Sequence, residues 1–252
     1  MSVGLLLLCL MVMVSICVWK HKLKMLVISP PHKLAKFNVP GKFFHEIPGN
    51  AHLDARYGKS KTQLDTHTEL LALYHAFNKM VDDIDIHPMI MHGALIGYHF
   101  NNQLLPWDDD IDLIIVGDHE IKKLLTKDKW ETNKYIFEIN PNHTNRDTRD
   151  HNNRIDARMI SKRCGLFIDF TFFWQDGEFL CAKDKHRYRR ELILPMTYGT
   201  FHDMTVYLPN RYLECLVKEY GEKVKKLTFK QWKFDTILRK WVKSSQKPSF
   251  HF

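Results

Sequence analysis

The segment Pro106-Trp107-Asp108-Asp109-Asp110-Ile111-Asp112 brings a cluster of carboxylates directly against the apolar run Leu113-Ile114-Ile115-Val116. In an extended chain alternate side chains share a face, so Asp110 and Asp112 point the same way, and Asp108 joins them if the strand begins early. Carboxylates so placed repel one another. Keeping them ionised beside a hydrophobic strand is costly unless a cation neutralises them, and hard oxygen ligands suit Mg²⁺ or Mn²⁺. Taken alone, an acidic turn is more often a solvated loop, so the neighbouring segments decide. Upstream, Gly93 and Gly97 flank a tight turn whose backbone N–H groups can approach a phosphate, because glycine has no Cβ to obstruct. Downstream, Gly165-Leu166-Phe167-Ile168-Asp169-Phe170-Thr171 sets one carboxylate in an otherwise apolar strand, where an unpaired charge is expensive. Asp169 is therefore expected as a third metal ligand, against the plainer reading of a hydrogen-bonded structural aspartate.

These residues need elements to hold them. Thr66-His67-Thr68-Glu69 has the form of a capping box, and Leu70, Leu73, Tyr74, Phe77 and Met80 follow at helical spacing, which predicts an amphipathic helix. Pro88 to Met91 reads as a strand entering the turn and short helix of His92-Gly93-Ala94-Leu95-Ile96-Gly97. Further strands are expected at Ile111 to Val116, Tyr135 to Ile139, Arg154 to Ile160, Leu166 to Phe173 and Thr205 to Leu208, with helices from Asn210 to Tyr220 and from Phe229 to Val242. Short β-branched strands with helices between them predict an α/β or α+β domain built on one mixed sheet with flanking helices.

The order of a Gly-containing turn, an Asp-x-Asp on the next strand and a third acidic residue on a later strand resembles the nucleotidyltransferase fold of polymerase-β type. More narrowly, His92 to Gly97 followed by Leu105-Pro106-Trp107-Asp108-Asp109-Asp110-Ile111-Asp112 resembles the LicD/fukutin signature, closest to the fungal members associated with mannosylphosphorylation of cell-wall glycans. The likeness extends over His52 to Tyr57, Ile139 to Asn142, Arg146-Asp147, Arg154 to Arg158, Gly165 to Thr171, Leu208 to Asn210 and Glu219 to Gly221, roughly residues 50 to 221. It implies transfer of a sugar- or alcohol-phosphate from a nucleotide-sugar or CDP-alcohol donor to a glycan acceptor, with release of a nucleoside monophosphate. Under it, Asp110, Asp112 and Asp169 hold the divalent ion and carry catalysis, with Asp169 as proton acceptor, while Gly93, Ala94, Arg154 and Arg158 bind the donor. Asp156 is the other candidate for the third ligand, and His92 is expected to pack or hydrogen-bond near the turn. The run Lys183 to Arg190 reads as a solvated basic loop sooner than as a groove wall. The sequence departs from the family at Phe201-His202-Asp203, where members carry a Phe-Glu-Gly-like step, and in the helix expected at Phe229 to Val242.

With 252 residues, 44% hydrophobic and 26% charged, the chain has the composition of a globular domain and excludes a disordered or fibrous one. A formal charge of +8 favours anionic partners such as nucleotides, phosphates or acidic membrane surfaces, and no nucleic acid partner is expected. Cys164, Cys181 and Cys215 lack CxxC spacing, against a structural zinc or a disulfide framework. Val3 to Trp19 carries no charge and is followed by Lys20, Lys22 and Lys24, as in a signal anchor at the short end for a hydrocarbon core of roughly 30 Å. The organisation expected is a membrane segment at 1–24, a stem at 25–61, the nucleotidyltransferase domain at 62–222 and a basic amphipathic helix and tail at 223–252. A single-pass protein of the Golgi or endoplasmic reticulum follows, whose Asn142-His143-Thr144 sequon counts only if the body is luminal. A non-catalytic regulator of a glycan-modifying transferase is the alternative. A third reading is a nucleotidyltransferase that leaves the nucleotide on its substrate and releases pyrophosphate.

Overall fold

Ile, Val and Phe dominate two strands, Ile111–Val116 and Phe167–Asp176, that run parallel at the centre of a mixed sheet, with Leu113, Ile114, Phe170 and Phe172 fully buried. Strands covered on both faces read as such near-continuous apolar runs. The computed structural model describes residues 40–244 except 48, 59–64, 148 and 184, with only the backbone of 50 and 51. All of these belong to one unit of the chain. The membrane segment expected at 1–24 and the first part of the stem lie outside the described residues. Among the described residues no helix is long and apolar enough to cross a membrane.

In chain order the elements are the hairpin β1 (Glu46–Ile47) and β2 (Asn50–Asp54), α1 (Thr66–Val81), β3 (Met89–Met91), α2 (His92–Asn101), β4 (Ile111–Val116), α3 (Asp118–Leu125), β5 (Tyr135–Ile139), β6 (Ala157–Ser161), β7 (Phe167–Asp176), β8 (Phe179–Cys181), β9 (Arg187–Arg189), α4 (Arg190–Ile193), β10 (Thr197–Phe201), β11 (Met204–Leu208), α5 (Tyr212–Tyr220) and the ribbon β12 (Thr228–Phe229), β13 (Trp232–Asp235) and β14 (Lys240–Lys243). The main sheet runs β10-β11-β3-β4-β7-β6-β5, with β8 and β9 continuing from β7. β3 and β4 are antiparallel, as are β7, β6 and β5, while β11 joins β3 in parallel.

Register decides what each face carries. Phe137 and Phe170, each next in sequence to an acidic residue, turn to the face where Phe77 of α1 packs, at ring distances of 6.1 and 4.5 Å. Burying each such ring stabilises by roughly 1.5–3 kcal/mol. Their neighbours Glu138 and Asp169 therefore belong to the opposite face.

Two sequence expectations are corrected. The cap of α1 is Asp65, one residue before the expected box: its carboxylate accepts from the His67 amide at 3.2 Å and the Thr68 hydroxyl at 2.6 Å. Glu69 does not close a capping box. It is buried and accepts from Ser161 at 2.6 Å and from Arg163. The helix expected over Phe229 to Val242 is instead the three-stranded ribbon β12–β14. Trp232 and Phe234 alternate with Lys233 and Asp235, a period of two that suits a strand. Asp235 then turns the chain by accepting from the Ile237 and Leu238 amides at 2.9 and 2.8 Å. The ribbon buries Phe234 and Trp241 against Phe100 and Leu105.

Candidate active site

Across that opposite face one row of residues is in register: Met91 on β3, Asp112 on β4, Asp169 on β7, Arg158 on β6 and Glu138 on β5. At one end the signs alternate. Arg158 holds Asp169 through Nε at 2.6 Å and Nη2 at 3.0 Å, and it reaches Glu46 at 3.2 Å. Glu138 is held by Arg56, which also holds Asp54. Between Asp112 and Asp169 the alternation fails, and two carboxylates stand side by side on adjacent strands. Like charges in register destabilise a sheet.

Asp108, Asp109 and Asp110 enter β4 beside this pair. Burial, then the charges of Asp110 and Asp112, push the Asp108 carboxyl up to about 8. Burial chiefly, with the charges of Asp110, Asp169 and Glu219 against the help of His92, pushes Asp112 up to about 7. Asp110 goes the other way: burial works to raise it, but the hydrogen bond with His52 holds it below the usual range. His52 Nδ1 lies 3.1 Å from Asp110, and that bond, with Asp109 and Asp169 nearby, raises the imidazole to about 9.

His92 follows β3 with a left-handed φ of +52°, a conformation that side chains other than glycine adopt only where the surroundings hold them. Its Nδ1 meets Glu219 of α5 at 2.5 Å. Glu219 also accepts from the Tyr188 hydroxyl at 3.2 Å and lies 3.7 Å from His186. Burial works to raise Glu219, yet the hydrogen bonds of His186 and His92 hold it well below the usual range. The run Lys183 to Arg190 is therefore no solvated loop throughout: Lys183 is buried and paired with Asp150 at 2.7 Å, and Tyr188 is buried on β9.

Gly93 opens α2, but a Cβ there would meet Asp108 Oδ2 at 2.4 Å. Its open face thus receives the chain's own Asp108 carboxyl group. Gly97 lies within α2, and a Cβ there would strike the Gln103 carbonyl at 2.1 Å, so its smallness serves helix packing. A cavity of about 290 Å³ is lined by Asp110, Asp169, His52, Lys42, Arg154 and Arg158. Arg154 is exposed on its rim. Arg158 is 1% exposed and packed on Phe44 and Phe167, so it serves first as the clamp of Asp169. Asp156 is withdrawn from this group: it accepts from the Phe172 amide at 2.7 Å and from Arg146 at 3.2 Å, as a structural aspartate does.

The expected trio Asp110, Asp112 and Asp169 thus shares one neighbourhood, but among the described residues the groups whose ligand atoms lie within 4.8 Å of one another are His52, Asp109 and Asp110, and His92, His186 and Glu219. Hard oxygen donors that repel each other, Asp112 in register beside Asp169 with Asp110 close by, fit Mg²⁺ or Mn²⁺. A cation would supply the positive charge that protons otherwise bring.

Asp-x-Asp on β4 thus stands beside a third aspartate on β7, next to the strand–helix step at His92. The LicD/FKTN/FKRP nucleotidyltransferase domain matches residues 85–211, and the chain belongs to that family. Mannosyltransferase regulator 4 of Saccharomyces cerevisiae is 28% identical over 149 residues, a match covering 52% of this chain and 13% of the relative. The chain spans only that small part of the relative's length.

Proposed function

We propose that the chain is a membrane-anchored transferase of the Golgi or endoplasmic reticulum. It moves a phosphoryl-linked sugar or alcohol from a nucleotide-diphosphate donor to a glycan hydroxyl, as in mannosylphosphorylation. The observation that carries this reading is the in-register pair Asp112 and Asp169 with Asp110 and Asp108 beside it, a concentration of negative charge that a purely structural sheet has no reason to keep. Family membership and the mannosyltransferase-related relative agree with the reaction class.

Asp110, Asp112 and Asp169 would hold Mg²⁺ or Mn²⁺, which when bound offsets charge on the donor pyrophosphate and its leaving phosphate. Arg158 keeps Asp169 in one orientation, and Asp169 takes the proton of the attacking hydroxyl. The hydroxyl oxygen forms a bond to the phosphorus that carries the sugar or alcohol. The bond from that phosphorus to the bridging oxygen breaks, and its electron pair leaves on the nucleoside monophosphate. Lys42 and Arg154 line the cavity as cations for the donor phosphates, while the amides of Gly93 and Ala94 open α2 beside the acidic cluster.

The relative's name, a regulator, favours a second reading: a non-catalytic partner of such a transferase. Product analysis separates them. The full chain, given GDP-mannose or a CDP-linked alcohol with Mn²⁺ and a mannose-terminated glycan, should release nucleoside monophosphate, and Asp110→Ala/Asp112→Ala should not. Release of neither nucleoside monophosphate nor pyrophosphate by the intact chain favours the regulator, whereas pyrophosphate release means that the nucleotide stays on the product.

A further inference from the structure

A second cavity, of about 340 Å³, adjoins the acidic cluster. Gly93 and Asp108 belong to its wall, and the rest is Ile96, Phe100, Leu105, Trp107, Tyr220, Val224, Phe229 and Trp241, with Lys223 and Lys226 exposed on the lining. The part of the wall from Tyr220 onward lies past residue 211, where the family match ends. Trp107 and Phe229 stack at 4.9 Å with their planes 28° apart, and Trp241 meets Trp107 edge-on at 5.0 Å. Two polar atoms of lining residues are buried with no hydrogen-bond partner: the Trp241 indole Nε1 donor and the Asp108 Oδ2 acceptor. Buried polar groups are rarely left so.

We infer that this cavity receives the nucleobase of a nucleoside-diphosphate donor, with the diphosphate passing over Asp108 and Gly93 toward Asp110 and Asp112. The inference rests on the donor reading above and names where the donor is recognised. A nucleobase is planar and aromatic, stacks on aromatic side chains, and offers on its edge the acceptor and donor that Trp241 and Asp108 lack. The lysines suit the phosphates that follow the base. A sugar fits less well, because a hydroxyl on nearly every ring carbon asks for more partners than this apolar lining holds. A hydrocarbon chain would leave both polar atoms unpaired. The volume lies at the lower end of the range that small-molecule pockets span, roughly 300–1,000 Å³.

The test measures binding to the full chain in detergent, with Mn²⁺, of GDP, CDP, UDP and, separately, inorganic pyrophosphate. Phe229→Ala removes a stacking ring, and Thr228→Trp, at an exposed strand position on the lining, fills the cavity without emptying the core. Loss of about tenfold or more in affinity for at least one nucleoside diphosphate in both variants is expected from lost stacking, with pyrophosphate binding unchanged. Nucleoside diphosphates binding both variants as tightly as wild type would overturn the inference while leaving the acidic site intact. Equal weakening of nucleotide and pyrophosphate, or loss of binding to a mannose-terminated glycan instead, also overturns it. If wild type binds neither pyrophosphate nor any nucleotide, the donor reading itself falls and the cavity assignment with it.

Discussion

Asp112, half-buried on β4, and Asp156, fully buried, are both pushed up to about 7, and in both burial is the largest cause. Their surroundings differ. Asp156 is answered from all sides: the Phe172 amide and Arg146 bond its two oxygens, and Lys183 adds a further positive charge. Asp112 instead faces Asp110, Asp169 and Glu219, with His92 as its counterweight. Burial alone thus marks neither as functional. What separates them is how far the fold supplies the compensating charge: at Asp112 His92 alone is set against three carboxylates.

The comparison breaks most sharply on substitution. Asp112→Asn should lower kcat/KM about a thousandfold or more, because it removes a group that holds the cation where charge develops. Its metal-free thermal midpoint should stay level or rise, since a repelling carboxylate is gone. Asp156→Ala should do the reverse: it orphans the Phe172 amide and the Arg146 contact, at a cost of about 2–3 kcal/mol in urea unfolding, while the folded fraction keeps its turnover. A metal-free Asp112→Asn chain that melts well below wild type would place Asp112 among the structural aspartates.

A smaller effect follows from protons. For Asp108, Asp112 and Asp156 the folded-state value lies above the unfolded one, so each contributes stability that is present below the usual carboxylate range and lost as pH rises through about 7, or about 8 for Asp108. The metal-free chain should therefore be less stable at pH 8 than at pH 6. Mn²⁺ should offset this loss at Asp108 and Asp112 but not at Asp156, so Asp156→Asn should remove part of the slope that Mn²⁺ leaves behind. Metal binding should also tighten between pH 6 and 8 and release protons, seen as a buffer-dependent heat in calorimetry. Affinity independent of pH over that range would deny that the cation replaces protons here.

Much of this contrast was legible in the sequence. Asp110, Asp112 and Asp169 stood out because charge interrupts apolar strands, and the strands Ile111–Val116 and Tyr135–Ile139 fell where alternation and β-branching put them. Asp156 was weighed as a ligand because nothing local announces Arg146 or the Phe172 amide as its partners. Nothing in the sequence gives His52 a role, and sequence alone suggests Arg158 as a donor-binding arginine. Both are defined by contacts between distant segments, and His92 with Glu219 is the extreme case, 127 residues apart in sequence. The C-terminal ribbon was misread because its aromatic and lysine residues satisfy helical spacing as well as alternation, and only Phe100, Leu105 and Trp107 decide which face is buried.

The smallest expected effects tell the orienting groups from those that touch the donor. Glu219→Gln keeps the size of the side chain but removes the charge that holds His92, His186 and Tyr188 together. Without that counter-charge, His92 should lose the bond that raises it and with it part of its favourable field at Asp112. A fall of about tenfold in kcat is expected from the misplaced group, with the pH profile displaced, because Asp112 loses both the help of His92 and the repulsion of Glu219. Arg154→Ala, an exposed change on the cavity rim, should instead raise the donor KM a few-fold and leave kcat, pH profile and thermal midpoint alone. If the two variants give the same kinetic pattern, the His92–Glu219 network is no more than another part of the donor-binding surface, and the distinction between groups that shape the Asp112 field and groups that greet the phosphate disappears.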